Sequence, residues 1–300
     1  THGRFLPSVS GSTEYSTIGG AVANNDAGPT SYKYGPIREF VRGLRVVLAN
    51  GELIKTERLS KRELNKKLGH ASFEGEIYRS LDKLIEESED IIDSMKTLGD
   101  RNNIGYALSD VKLKDGSFDL TPLFVGSQGT LGLISEITLE TEAHSAQSDL
   151  LVAMFNGRQE AWNAVQKIND IKNGPISLDF IDSSLIEYVA KANPNFIKKT
   201  LENAKPGTVL FIEIEKNSNR SSKKVIKKIS KLLEEAQAEV EHVSDENRQN
   251  WLALRDSPSQ FLSYSDTNAR AVPIIDDAIV PVERAAEFIK NTSDLMGSMQ

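Results

Sequence analysis

The strongest constraint on this chain is a pair of glycine-rich segments. The first is Ser16-Thr17-Ile18-Gly19-Gly20-Ala21-Val22-Ala23-Asn24-Asn25-Asp26-Ala27-Gly28, with Tyr34-Gly35 close behind. The second is Gly126-Ser127-Gln128-Gly129-Thr130-Leu131-Gly132, which runs into Leu133-Ile134. Glycine, with Asn and Asp, allows tight turns and positive φ, and a backbone free of side chains can bring several N–H groups against a phosphate. Either segment alone reads equally well as a surface loop or a tight bend. Two of them flanking one predicted domain point to a nucleotide site.

Composition narrows the partners. The 300 residues carry 36 Lys and Arg against 43 Asp and Glu, a net charge of −7. That argues against a general nucleic-acid coat, which needs positive charge to displace counterions. With no cysteine among them, these residues hold no disulfide, thiolate zinc site, iron–sulfur cluster or cysteine nucleophile. No apolar run approaches the ~20 residues of a membrane span, so no transmembrane segment is expected. Thr1-His2-Gly3-Arg4 is not followed by the apolar stretch of a signal peptide. The start reads as mid-protein sequence.

Two textures follow one another. Arg42–Leu48 and Glu52–Thr56 read as strands joined by an Asn50-Gly51 hairpin turn. Ser72–Met95 reads as one helix, with apolar residues at Ile77, Leu81, Leu84, Ile85, Ile91 and Ile92. Leu133–Leu139 reads as a strand leaving the second glycine segment. After Ser148, predicted strands at 150–155, 176–181, 209–215 and 238–243 alternate with helices at 159–171, 184–192 (broken by Pro194), 221–236 and 245–255. This predicts an α+β fold with an antiparallel or mixed sheet. The expected domains are 1–143 and 144–300, divided near His144 where the glycine-rich texture stops.

The order of these motifs resembles a known family. Ser16-Thr17-Ile18-Gly19-Gly20 with Asn24 and Gly28, Tyr34-Gly35, the strand ending at Asn50-Gly51, and Gly126–Gly132 are together similar to the FAD-linked oxidases of the vanillyl-alcohol-oxidase type. Within that family the nearest group is the D-lactate, glycolate and D-2-hydroxyglutarate dehydrogenases. Trp251-Leu252-Ala253-Leu254-Arg255 resembles the Trp-x-x-x-Arg of that group's cap helix, and Arg270–Pro281 resembles its return from cap to core. The resemblance implies a PCMH-type FAD-binding domain followed by a ferredoxin-like α/β cap domain.

It also implies roles for particular residues. Ser16, Thr17, Gly19, Gly20, Asn24, Asn25, Asp26 and Gly28 would line FAD on its pyrophosphate and flavin side. Gln128, Gly129, Thr130, Leu131, Gly132 and Ile134 would hold it mainly through backbone groups, with Ile134 toward the adenine. Arg255 and Arg270 would receive a substrate carboxylate, which a guanidinium fork matches bidentately. The chain departs from the family pattern in several places. The family's Pro-Arg-Gly-Gly-Gly-type loop and its Gly-His-x-Asp catalytic stretch are absent, Gln128 replaces a usual Glu, and Ile275 stands where some relatives carry Lys. The expectation is a central piece of a longer enzyme, with no catalytic base of its own and no turnover alone.

Other polar features have plainer readings. His2, His70, His144 and His242 show no metal-ligand spacing and read as surface or structural residues, so no metal is expected. Lys223, Lys224, Lys227, Lys228 and Lys231 form a basic face opposite Val225, Ile226, Ile229, Leu232, Leu233 and Ala236. The simplest reading is a solvated helix packed on its sheet; the sharper one is contact with anionic lipid or an acidic partner. The function expected of the intact protein is oxidation of a D-2-hydroxy acid to the 2-oxo acid with FAD. Its electron acceptor would be a quinone, an electron-transfer flavoprotein or a fused iron–sulfur module. Its location would be cytoplasmic, or peripheral at the inner face of the membrane. The alternatives are an ether-lipid synthase of the alkyl-glycerone-phosphate type on the same fold, and a non-catalytic scaffold domain.

Overall fold

The computed structural model describes residues 3–8, 10–11, 13, 15–95, 105–143, 148–202, 204–216, 219–258 and 278–299. The chain divides into two units, Thr1–His144 and Ser145–Gln300. In chain order the first holds β1 (Arg4–Phe5), α1 (Ile18–Asn24), α2 (Ser31–Tyr34), β2 (Val41–Val47), β3 (Leu53–Thr56), α3 (Lys61–Leu68), α4 (Phe73–Glu87), α5 (Glu89–Met95), α6 (Thr121–Phe124), β4 (Leu133–Leu139) and β5 (Glu142–Ala143).

The hairpin forms where Asn50-Gly51 predicts it. Gly51 takes φ +85°, and Asn50 Oδ1 accepts the Glu52 N–H at 3.0 Å. These set the antiparallel register Val46↔Ile54 between β2 and β3. On its other edge β2 pairs with β4, Leu44 opposite Ile137 and Val46 opposite Ile134, giving the order β3-β2-β4. Leu44, Val46 and Ile54 turn inward onto a core that also takes Val22, Ile37, Tyr78, Phe118, Leu120 and Phe124.

The single helix expected over 72–95 is two. Ser88 leaves helical geometry at φ −120°, ψ 19°, and its carbonyl accepts the Ile92 N–H at 3.0 Å. Ser88-Glu89-Asp90 is itself a helix-start signal, a small polar residue before an acidic first turn. Sequence reading also passed over α3, although Ser60 and Glu63 form a capping box there, worth about 1 kcal/mol.

The second unit holds β6 (Ser148–Phe155), α7 (Arg158–Asn169), β7 (Ser177–Asp182), α8 (Ser183–Ala192), α9 (Pro194–Leu201), β8 (Thr208–Glu215), α10 (Asn219–Glu235), β9 (Glu239–His242), α11 (Asp245–Arg255) and α12 (Ala285–Ser298). The strands form one antiparallel sheet in the order β7-β8-β6-β9. This is the ferredoxin-like arrangement, with α8 and α9 inserted between the second and third strands. Pro194 ends α8 but opens α9, because a proline is tolerated at the first helical position and Asn193 Oδ1 caps the Phe196 N–H at 3.2 Å.

Strand alternation sends side chains to two cores. Leu151, Ala153, Leu210 and Ile212 meet Ala161, Ile168, Ile229, Leu233 and Ala285 of α7, α10 and α12. Leu150, Val152, Val209 and Phe211 meet Ile186, Leu201, Trp251 and Leu254 of α8, α9 and α11. The apolar side of α10 packs as its periodicity predicts, and its lysines face outward. No helix among the described residues is long and apolar enough to cross a membrane.

Candidate functional site

The first glycine segment is not the run of turns its composition predicts. Thr17 takes the extended conformation of an N-cap, and its hydroxyl accepts the Gly20 N–H at 3.0 Å. Ala21 and Val22 then anchor α1 in the core, so Gly19 and Gly20 lie on the exposed side of a short helix. The left-handed residue is Asn25, at φ 50° and 1% exposed, which ends the helix.

The second segment has the bends expected of it. Gly126, Gln128 and Gly129 take φ of +85°, 51° and +78°. Ser127 stays buried and donates its hydroxyl to the Phe124 carbonyl at 2.8 Å, while its own carbonyl accepts the Thr130 hydroxyl at 2.6 Å. Gln128, Gly129 and Thr130 are left facing solvent.

The fold brings the two segments together. The Gly126 N–H donates to the Val22 carbonyl at 3.0 Å, and the Gln128 N–H to that of Ala23 at 2.9 Å. The Gln128 side-chain amide donates to Asn24 Oδ1 at 3.2 Å, and Asn24 Nδ2 donates to Asp26 Oδ1 at 2.6 Å. A Cβ on Gly126 would lie 3.1 Å from Asn25 Cβ. Asp26 and Gly28 serve the turn beyond: the Asp26 carbonyl accepts the Ile37 N–H at 2.9 Å, and the Gly28 N–H donates to Ser31 Oγ at 2.9 Å. Ser16 is exposed at the start of the stretch.

Two glycines here face open space. A Cβ on Gly19 or Gly129 would meet no atom within 4 Å. Gly129 has its positive φ as a reason; Gly19 has helical geometry and none. An exposed helical glycine costs about 0.5–1 kcal/mol relative to alanine. Keeping one beside open space fits a ligand that approaches the backbone closely. Gly132 has a different reason. Its Cβ would lie 2.6 Å from Val46 Cγ1 and 2.8 Å from the Val47 carbonyl oxygen, so β2 itself demands glycine there. Leu131 and Ile134 pack against the core, which leaves them only their backbone to offer a ligand.

Sequence reading missed Arg38 and Tyr106. Arg38 stands directly behind the junction. Its N–H donates to Asn25 Oδ1 at 3.2 Å, its Nη2 reaches the Val125 carbonyl at 3.4 Å, and the nearest carboxylate oxygen, on Asp110, is 3.9 Å away. Burial pulls its guanidinium below the ordinary value, which the charges of Asp110 and Glu39 only partly offset. The Tyr106 hydroxyl bonds Thr130 Oγ1 at 2.9 Å. Neither residue sits in a recognisable motif.

In the second unit, Arg255 is mostly buried at the end of α11. Its Nε donates to Asp256 Oδ1 at 2.8 Å, and its Nη1 lies 3.6 Å from Glu213 Oε2. Glu213 also accepts from Arg248 Nη2 at 2.6 Å. Burial pulls the Arg255 guanidinium down, but the hydrogen bond and charge of Asp256, with the charges of Asp179 and Glu213, outweigh it and hold the group above its ordinary value. Sequence reading did not anticipate these carboxylates around the arginine; the only signal was an acidic residue at an inward strand position in β7 and β8. Arg270 lies outside the described residues, as do His2 and His144. His242 Nε2 is 3.1 Å from Asp149 Oδ1. Among the described residues no group of three His, Asp or Glu could hold a metal ion.

Comparison with known proteins agrees with this layout. Residues 1–57 match the FAD binding domain family, and residues 145–299 match the family of FAD linked oxidases, C-terminal domain. The chain is 27% identical over 297 residues to the glycolate oxidase subunit GlcD of Bacillus subtilis, covering 98% of this chain and 50% of that protein. It is 23% identical over 314 residues to a D-2-hydroxyglutarate dehydrogenase of Haemophilus influenzae, covering 98% of the chain and 30% of the relative. A D-lactate dehydrogenase of Anaerostipes hadrus is 24% identical over 288 residues, covering 94% and 48%. The chain therefore spans half or less of the length of these relatives. Among solved structures, an alkyldihydroxyacetonephosphate synthase superposes with a TM-score of 0.54 at 18% identity, covering 87% of this chain and 42% of that one. With a C-terminal-domain match over more than half its length and an FAD-binding match ahead of it, this chain belongs to the FAD-linked oxidase family, whose cofactor is FAD.

Proposed function

We propose that the protein to which this chain belongs oxidises a D-2-hydroxy acid to the 2-oxo acid. FAD, when bound, supplies the hydride acceptor. The observation that carries the reading is the junction of α1 with the 126–130 bend, a surface kept bare at Gly19 and Gly129. The relatives add the substrate class: glycolate, D-lactate and D-2-hydroxyglutarate share a hydroxyl beside a carboxylate.

In this reading residues 1–143 are the FAD-binding domain and 144–300 the cap. Ser16, Thr17, Gly19, Gly20 and Asn24 hold the cofactor from one segment and Gln128, Gly129 and Thr130 from the other, with Asn25, Asp26, Gly28, Leu131, Gly132 and Ile134 shaping the seat. Arg255, with Arg270, takes the substrate carboxylate and fixes its orientation. No residue of this chain is assigned to removal of the hydroxyl proton. The electrons leave to a quinone, an electron-transfer flavoprotein or an iron–sulfur module. The lysine face of α10 supports a cytoplasmic protein peripheral to an anionic membrane surface. The likeness to the alkyldihydroxyacetonephosphate synthase, at 18% identity, speaks for the fold and carries no ether-lipid reading.

The test is the visible spectrum of the full-length protein. It should be yellow as purified or after FAD is added, and D-lactate, glycolate or D-2-hydroxyglutarate should bleach it without oxygen. A protein that stays colourless with FAD would be a scaffold; one that binds FAD but is bleached by none of the three would refute the substrate class.

A further inference from the structure

Among the described residues, three carboxylates and two arginines meet where α11 crosses the sheet. Asp179 points inward from β7 and is mostly buried, and its Oδ2 has no hydrogen-bond partner among the described residues. Ser177, on the same face of the same strand, is fully buried beside the Asp179 carboxyl, which its hydroxyl helps hold ionised. Glu213 lies on the neighbouring strand, in register with Ser177. From α11 come Arg255 and Arg248, and Asp256 follows at the helix end. Fully ionised, this group holds two cations and three anions among the described residues. Arg248 is engaged by Glu213, so Arg255 answers chiefly to Asp179 and Asp256.

We infer that Asp179 takes up a proton from solvent when a carboxylate ligand binds Arg255. The inference rests on the assignment of the substrate carboxylate to Arg255. A ligand carboxylate arriving there adds a fourth anion to a buried site, and like charges crowded in low dielectric cannot all remain ionised. Asp179 is the member best placed to give way. Among the described residues its Oδ2 accepts from no arginine, whereas Asp256 and Glu213 each do so at short range. The direction of its titration agrees: burial pushes the Asp179 carboxyl up, Arg255 and the Ser177 hydroxyl oppose this, and Asp256 and Glu213 add to it.

The consequence is a linked equilibrium. Proton binding and carboxylate binding favour one another, so affinity for the anion rises as pH falls through the Asp179 titration and then levels off. The experiment uses the flavin-loaded full-length protein and whichever of D-lactate, glycolate or D-2-hydroxyglutarate bleaches its flavin. KM should fall with falling pH by up to about tenfold per pH unit across the titration. Asp179→Asn, which imitates the protonated acid, should make KM independent of pH and as low as the wild-type acid limit. Calorimetry on the unsubstituted protein with the matching 2-oxo acid, in two buffers of different ionisation heat, should find about one proton taken up per ligand bound, and this arm does not depend on the variant folding. A flat wild-type KM, an Asn variant that keeps the slope, or no proton uptake would each overturn the inference. Arg255→Lys separates the two levels. If it raises KM while proton uptake is absent, the carboxylate assignment stands and the Asp179 inference falls; if it leaves KM unchanged, both fall.

Discussion

The backbone N–H of Gln128 donates to the carbonyl of Ala23 at 2.9 Å, joining two segments more than a hundred residues apart in the chain. With the neighbouring bond from Gly126 to Val22, it makes one surface of the end of α1 and the bend before β4. Each segment alone is an ordinary piece of structure, and their junction is what makes a seat for a dinucleotide plausible chemistry.

Substitutions at Gly126 and Gly129 should separate backbone strain from contact between the segments. Both have positive φ, but an added Cβ meets Asn25 at 3.1 Å only at Gly126. Gly129→Ala should cost about 1 kcal/mol in urea unfolding, the left-handed penalty alone. Gly126→Ala should cost measurably more. Equal losses would show that the approach to Asn25 is slack.

Gly19→Ala sets the chain's own interest against the ligand's. Added to an exposed helical position with open space around it, the methyl should stabilise the flavin-free protein by about 0.5–1 kcal/mol. It should nonetheless weaken FAD binding in a fluorescence titration. A gain in stability with unchanged FAD affinity would remove Gly19 from the seat.

At Arg255 two substitutions ask different questions. Arg255→Met leaves Asp179 and Asp256 without their cation, while Glu213 keeps Arg248. Breaking a buried pair this way costs roughly 3–5 kcal/mol, and thermal or urea unfolding will read it. Arg255→Lys keeps the charge but loses the fork. Flavin content should be unchanged while KM for the hydroxy acid rises by about tenfold, the loss of one good charge-assisted hydrogen bond.

Much of this architecture was legible from residues. Asn50-Gly51 placed the hairpin, the alternation through 133–139 placed β4, and the period of 225–236 placed the packed side of α10. What failed did so for physical reasons. Glycines at 19 and 20 suggested a loop, but Thr17 caps the turn and Val22 buries its end, and tertiary anchoring outweighed weak helix propensity. The glycine segments themselves were visible, whereas Arg38 and the Asp179–Glu213–Arg255 group were not, since their meaning lies in which distant residues meet them. Asp179 shows this best: one acidic residue among apolar neighbours in 176–181 looks like an exposed strand position until the sheet puts it beneath α11.

Asp115 should titrate unusually low. Its carboxylate accepts from the Ser117 hydroxyl at 2.6 Å, the Ser117 N–H at 3.0 Å and Arg58 Nη2 at 2.6 Å. The Ser117 hydroxyl, then its N–H, then Arg58 hold it down to about 2. Because the folded value is depressed, the stabilisation is present above the ordinary aspartate range and is lost as pH falls through about 2. Carboxyl NMR should give that midpoint, and Ser117→Ala should move it back toward the ordinary value. An unshifted wild-type midpoint would contradict the contact.

Hydrogen exchange of the full-length protein with and without FAD tests the shared seat most directly. Amides in both 16–28 and 126–134 should slow together, with one dependence on FAD concentration. Tight FAD binding that leaves either stretch exchanging as it does in the flavin-free protein would contradict the account.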